Sequence, residues 1–258
     1  MNRRRIVLGA AGVAAAVAVL EAVSRAGLVD ESALPPATTV LREAGKLAVD
    51  EEFLFDVGAT LRAWFQGLAL AVLAAVPLGV LLGSVPLLGT AARALVELMR
   101  PIPSVALIPL AIILFADPTQ VKVSLVFYAC LWPILINTLY ALRDVDPVAK
   151  DSLRSFGFGA VSVLWRVSLP SAAPFIATGV RIAASVALIV VISTELLAAG
   201  ADGVGIYLSS TQAAGGRTDL LLAGAVWAGV LGLLANLLLL GLERVAFRWH
   251  AARLEGVA

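Results

Sequence analysis

The sequence predicts an all-α, polytopic membrane protein of about six transmembrane helices, with one long two-helix loop between spans. Three observations predict it. Of 258 residues, 60% are hydrophobic and 14% charged, with a mean hydropathy of +0.97, against roughly 45–50% apolar and about 25% charged in soluble domains. The apolar residues come in runs close to the ~20 that cross a bilayer. One polar-punctuated stretch, residues 146–174, interrupts them. The same composition excludes other classes. A net charge of +1 gives no basic surface for nucleic acid. The single histidine, His250, near the end of the chain, speaks against a histidine metal site or a Ser-His-Asp triad, and the single Cys130 forms no internal disulfide.

Arg3, Arg4 and Arg5 precede an apolar run from Ile6 to Leu20. A signal peptide has this outline, but the run passes directly into Glu21 without a clean cleavage signature. An uncleaved first span within 1–27 is expected, its arginines holding the N-terminus in the cytoplasm. Residues 28–59 turn acidic and polar, with Asp30, Glu31, Glu43, Asp50, Glu51, Glu52 and Asp56. Val40–Val49 has amphipathic spacing, yet the stretch as a whole is read as a solvated outer loop. The core, 60–250, follows. Its first span, Trp64–Leu82, contains Pro77 and Gly79, which a membrane helix tolerates when neighbours satisfy the freed backbone groups. A turn at Gly83–Thr90 leads to a short helix over 91–99. The next span, Ile102–Ala116, is accompanied by Pro101, Pro103 and Pro109, whose kinks suit helices around a shared pathway.

The fourth span, Val121–Leu142, carries Asn137. An intramembrane asparagine reads either as a hydrogen-bond former between helices or as a pathway ligand. The fifth, Phe175–Ala199, embeds Arg181 and Glu195 in apolar sequence. Fourteen residues separate them, about 21 Å of helix, so they do not pair with each other. Intramembrane charges are functional candidates; the plainer reading has Arg181 reaching the cytoplasmic headgroups and Glu195 sitting at the outer interface. Residues 200–219 read as an outer loop with a re-entrant or interfacial turn at Ile206–Gln212. Its glycines are no nucleotide fingerprint, because no strand precedes them. The last span, Leu220–Leu242, is followed by Glu243, Arg244, Arg248, His250 and Arg253, and the chain closes with a cytoplasmic tail, 251–258. With six spans and the N-terminus inside, twelve of the 19 basic residues fall on the cytoplasmic side and six outside, Arg181 lying within a span. That bias places both termini and residues 146–174 in the cytoplasm.

The loop itself has a readable grammar. Asp146 caps a helix and Pro147 suits its first position. Lys150, Asp151, Leu153 and Arg154 continue it, and Gly157 and Gly159 break it into a sharp turn. Val161–Val167 makes a second short helix, which Leu169-Pro170 is expected to end. Two short helices about a glycine read either as an ordinary connection or as a rigid element that docks a soluble partner.

The segment resembles the cytoplasmic EAA loop of ABC importer permeases: Glu-Ala-Ala, three residues, Gly, and about eleven residues later Leu-Pro. The matching positions are Asp151-Ser152-Leu153, Gly157 and Leu169-Pro170; the acid is kept as Asp151 and both alanines are replaced. RPIPSVALIPLAIILF at 100–115, WPILINTLYALRDVDP at 132–147, FIATGVRIAASVALIVVISTELLAA at 175–199 and GGRTDLLLAG at 215–224 look like the nitrate/sulfonate/taurine branch of that family. The resemblance implies a bacterial inner-membrane permease subunit of an ATP-driven importer. It implies a cytoplasmic ABC ATPase dimer binding ATP and Mg beneath it, an extracytoplasmic solute-binding protein above, and a second permease subunit, identical or a sister. Within the coupling loop, 146–170, it gives Asp146, Pro147, Asp151, Arg154, Gly157, Leu169 and Pro170 the role of meeting the ATPase. Asn137, Arg181 and Glu195 are the pathway or gating candidates. No G-x-x-x-x-G-K-[ST] phosphate loop occurs, so the chain is not expected to be the ATPase itself. The alternatives are an ion-coupled secondary transporter using Arg181 or Glu195, against which no internal repeat is evident, and a membrane enzyme, for which no nucleophile or metal cluster is evident.

Overall fold

The computed structural model describes residues 3–27, 29–30, 32–198, 200 and 202–247. The tail residues Arg248, His250 and Arg253, Glu31 of the polar stretch, and the 251–258 tail lie outside the described residues. The helices are α1 (Arg3–Arg25), α2 (Ala37–Leu47), α3 (Glu51–Ser84), α4 (Pro86–Met99), α5 (Ile108–Leu114), α6 (Pro118–Arg143), α7 (Pro147–Ser155), α8 (Ala160–Val163), α9 (Leu169–Leu197), α10 (Val204–Ala213) and α11 (Thr218–Ala246). Among the described residues, five stretches are long and apolar enough to cross a membrane, α1, α3, α6, α8 together with α9, and α11, and the bent pair formed by α4 and Ser104–Leu114 makes a sixth if it crosses as one. The chain divides into two compact units, Met1–Ala59 with Ala201–Val230, and Thr60–Gly200 with Leu231–Ala258.

In the first unit the polar stretch is not a loop. Asp50 accepts from the Phe53 amide at 2.8 Å, so Asp50-Glu51-Glu52 is a helix cap and an acidic first turn rather than a solvated charge run. α2 buries Val40, Glu43, Ala44 and Leu47, the i, i+3, i+4, i+7 face of an amphipathic helix. Phe53 is fully buried between Tyr207 and Trp227, with ring centroids at 5.1 and 6.0 Å, and the Trp227 Nε1 donates to the Ala44 carbonyl at 2.9 Å. The expected turn at Ile206–Gln212 is part of α10, which starts after Gly203, whose φ of 139° suits glycine alone; its amide donates to Asp56 at 2.7 Å.

In the second unit, α6 and α9 pack along their lengths, and α3 lies against α6. The approach is close because small residues recur every fourth position on α3: Ala63, Gly67, Ala71, Ala75 and Gly79, all buried. A Cβ on Gly67 would lie 2.5 Å from the Val126 Cγ1, and one on Gly79 would lie 2.6 Å from the Thr138 Cβ. α9 does the same with Gly179, Ala183 and Ala187, and Cys130 donates to the Ala183 carbonyl at 3.3 Å. Small residues spaced by four let helix backbones meet in a lipid setting, where dispersion and hydrogen bonds replace the hydrophobic drive.

The expected single span over 102–116 is not formed. Residues Pro86–Met99 and Ser104–Leu114 are two helical pieces bent by 78°. Pro101 and Pro103 supply no N–H to bridge the break. Lys122, assigned by the charge tally to the outer side, is buried inside α6.

Candidate functional site

The docking stretch is a foot at one end of the second unit. Asp146 accepts from the Val148 amide at 2.9 Å and Pro147 takes the first position of α7. Lys150 reaches back to the Leu142 carbonyl at 3.1 Å, satisfying an orphan group at the C-terminus of α6. Asp151 pairs with Arg154 at 2.9 Å, both side chains more than half exposed, a surface pair of ~0–1 kcal/mol. The helix ends in a Schellman turn: the Phe158 amide donates to the Leu153 carbonyl at 3.2 Å and the Gly157 amide to that of Arg154 at 2.9 Å. Gly157 has φ +83°, and a Cβ added there would meet nothing within 4 Å, so its need for glycine is conformational, not steric. Beyond the turn the Arg166 guanidinium stacks 4.9 Å from the Phe158 ring.

Leu169-Pro170 does not end the second helix. Residues Leu164–Ser168 widen into a π turn that feeds α9, and Pro170 occupies α9's first turn. A proline there forgoes an N–H that the wide turn already leaves outside the regular ladder. The second helix of the foot is thus continuous with the fifth span. Ala141, Leu142, Val145 and Ala172 pack together where α6, the loop and α9 meet, with Leu164 and Val167 against them. By contrast, α7 buries nothing. Val148, Phe156, Val161 and Trp165 are 70, 82, 71 and 68% exposed.

Glu195 lies at the opposite end. It is 2% exposed and takes Lys122 Nζ at 3.2 Å and the Thr60 hydroxyl at 3.0 and 2.9 Å on its two oxygens. The cluster joins α3, α6 and α9. Lys122 and Arg143 are 21 residues apart on α6, about 32 Å, which measures the distance of this pair from the foot. Arg181 is half-buried and pairs with Glu243 of α11 at 3.1 Å; it does not reach outward alone. Asn137 donates within its own helix, to the Pro133 carbonyl at 2.7 Å, so its hydrogen bond is not the expected bridge between helices. Its contact with α9 is packing: a Cβ on Gly179 would lie 2.6 Å from the Asn137 Cβ. Asn137 also lines two adjoining clefts. The three pathway candidates are therefore not brought together. Sequence reasoning misses Thr60 and Lys122, since nothing local links positions 135 and 73 residues from their partner. Among the described residues no group of His, Cys, Asp or Glu is placed to hold a metal ion.

The comparisons with known proteins bear on the same elements. The taurine transport system permease protein TauC of Escherichia coli is 30% identical over 96% of this chain and 91% of its own length. The nitrate import permease protein NrtB of Leptolyngbya laminosa is 26% identical over 73% of this chain and 67% of its own. The bicarbonate transport system permease protein CmpB of Synechococcus elongatus is 27% identical over 78% of this chain and 72% of its own. The inward-facing MetNI methionine ABC transporter superposes with a TM-score of 0.66 over 74% of this chain and 94% of that one, at 19% identity, a likeness of fold. The profile of the family described as binding-protein-dependent transport system inner membrane component matches residues 75–248, from α3 through the foot to the end of α11, and the chain belongs to that family as a permease subunit of an ABC importer.

Proposed function

We propose that the chain forms the membrane pathway for a small solute bearing an oxyanion, of the sulfonate, nitrate or taurine kind, handed over by an extracytoplasmic solute-binding protein. The cytoplasmic ABC ATPase dimer, which binds ATP and Mg, grips the foot. A second permease subunit completes the pathway; an identical copy is the default, and a sister with a regular Glu-Ala-Ala triplet is the alternative. Both termini lie in the cytoplasm. The relatives named for taurine, nitrate and bicarbonate transport support the solute class, since all three carry a compact oxyanion group.

The observation that carries the reading is the foot's exposed apolar face, Val148, Phe156, Val161 and Trp165, on helices whose geometry is fixed by a capped start and a Schellman turn. Thrust on that face passes along the π turn into α9. At the far end of α9, Glu195 with Lys122 and Thr60 acts as a latch that holds α9 to α6 and α3 until the pathway opens. Arg181 with Glu243 ties α9 to α11 as it tilts.

The test is ATP-dependent uptake of taurine, ethanesulfonate or nitrate in proteoliposomes holding the permease, its ATPase and the receptor. Gly157→Val forces a β-branched residue to positive φ, costing roughly 1–2 kcal/mol locally. It should leave ATPase co-purification largely intact and remove receptor-stimulated hydrolysis. Full stimulated hydrolysis in that variant would end the account of the foot as a rigid lever.

A further inference from the structure

One face of α6 is open along three adjoining clefts. Its residues recur at helical spacing: Trp132, Ile136, Asn137, Tyr140 and Arg143. The cleft beside the broken segment, 370 Å³, is lined by Trp132 and Asn137 of α6, by Arg100 and Ser104 from the break, and by Ile182 and Val186 of α9. Arg100 also lines the next cleft, 130 Å³, with Arg93 and Arg143 and one carboxylate, Glu97. The third, shared by Arg143 and Asn137, contains Asp144. Arginine is therefore in excess along the face.

Among the described residues, Arg93, Arg100 and Arg143 have no carboxylate within ion-pair distance, as is also true of Arg42, Arg62, Arg166 and Arg244, so what sets this face apart is that three such arginines converge on adjoining clefts. In addition, Trp132 Nε1 is buried with no acceptor, alone among buried side-chain nitrogens and oxygens of the described residues. Its neighbour Tyr128, stacked edge-on at 5.7 Å, spends its hydroxyl on the Met99 carbonyl at 2.8 Å. A buried donor without a partner costs roughly 1–3 kcal/mol.

We infer that the 370 Å³ cleft between Arg100, Ser104 and Trp132 is an oxyanion station on the transport path, with Arg100 supplying charge and Trp132 Nε1 a directed hydrogen bond. Arg143 and Arg93 form the next station along α6. Arg100 lines both clefts, so the anion passes between the stations along a shared guanidinium. The absence of a bidentate carboxylate partner leaves the Arg100 fork available to a planar or tetrahedral oxyanion. This rests on the proposed oxyanion solute. The same chemistry would be offered by a lipid phosphate, and the experiment separates the two.

Ser104→Cys places a half-buried thiol in the cleft, and the native Cys130 is fully buried, so the wild-type complex is the control for background labelling. The variant, assembled with its ATPase in phosphatidylcholine nanodiscs, is labelled with a sulfonate-bearing and a trimethylammonium-bearing methanethiosulfonate, each rate normalised to a free thiol. A cationic cleft should favour the anionic reagent by about tenfold or more. Ser104→Cys/Arg100→Gln should lose that preference while still reacting with a neutral reagent, which shows that the cleft is formed. Nitrate and ethanesulfonate, against chloride at equal ionic strength, should slow labelling, and Trp132→Phe should weaken this protection while keeping the charge preference. Equal rates for the two reagents, or a preference unchanged by Arg100→Gln, overturns the station. If phosphatidylglycerol in the nanodisc blocks labelling and nitrate and ethanesulfonate do not, the occupant is a lipid headgroup and the solute path is overturned. The labelling needs neither ATP nor receptor, so it can fail while ATP-driven uptake succeeds, and the reverse.

Discussion

Lys122 enters α6 just after the Asp117 cap, whose side chain accepts from the Thr119 amide at 3.0 Å, and its ammonium ends on Glu195. The two side chains are 9 and 0% exposed. Desolvating both charges cancels much of their attraction, so the pair adds little over an apolar substitute, but removing one partner strands the other. Lys122→Met should therefore destabilise the second unit by about 3–5 kcal/mol, read as a fall in melting temperature by fluorescence-detected size exclusion. Lys122→Met with Glu195→Leu should recover most of the loss, the Thr60 hydroxyl then turning to a carbonyl of its own helix. A double variant as unstable as the single one would mean that neighbouring groups, not the pair, carry the cost. The character of Glu195 as an embedded charge is legible in its sequence context. Its partner is not, because a charge tally counts Lys122 only as an outer-side cation and is blind to contacts 73 residues away.

The elements divide in the same manner. Long apolar runs are set by hydropathy and length, so α3, α6, α9 and α11 are legible, as are the Asp146 cap and the Gly157 turn, which depend on local backbone chemistry. The errors fall where one residue type serves two purposes. Asp50-Glu51-Glu52 reads as solvated charge and is a helix start. Pro170 reads as a stop and opens α9, since the first turn of a helix is where proline is harmless. The four-residue recurrence from Ala63 to Gly79 is a packing signal that hydropathy, which scores small and large apolar residues alike, does not reveal. Its consequence is measurable. Gly79→Val drives a branched side chain toward Thr138, whose Cβ is 2.6 Å from the new atom; overpacking of this kind costs roughly 1–3 kcal/mol. Gly232→Ala, on α11 with nothing within 4 Å, should be neutral or gain up to about 1 kcal/mol in helix propensity. Thermal stability of the two variants in one detergent checks both, and equal effects would mean that the α3–α6 contact is looser than drawn.

At the scale of the whole molecule, sidedness depends on the bent pair between α3 and α6. If Pro86–Leu114 crosses the bilayer, six crossings put both termini and the foot on one side. If it dips in and returns on its own side, the foot lies opposite the N-terminus. The charges decide between these. Arg3, Arg4 and Arg5 are the first residues of α1, and Arg143, Lys150, Arg154 and Arg166 surround the foot; the positive-inside bias is met by both groups only when the pair crosses. Ser155 and Ser210 are exposed, in α7 and α10, with α9 between them, and the one native thiol, Cys130, is buried. Ser155→Cys in whole cells should therefore resist an impermeant maleimide and react only after permeabilisation, while Ser210→Cys should react from outside. Labelling of both from one side would mean that α9 does not cross, and labelling of Ser155→Cys from outside would place the foot beyond reach of any ATP-driven partner. The expected pattern requires the 78° break to lie within the membrane, where its unsatisfied backbone groups are tolerated only against protein or a water-filled cavity. The Arg100–Ser104–Trp132 cleft adjoins that break, so the topology and the proposed solute path stand on the same feature.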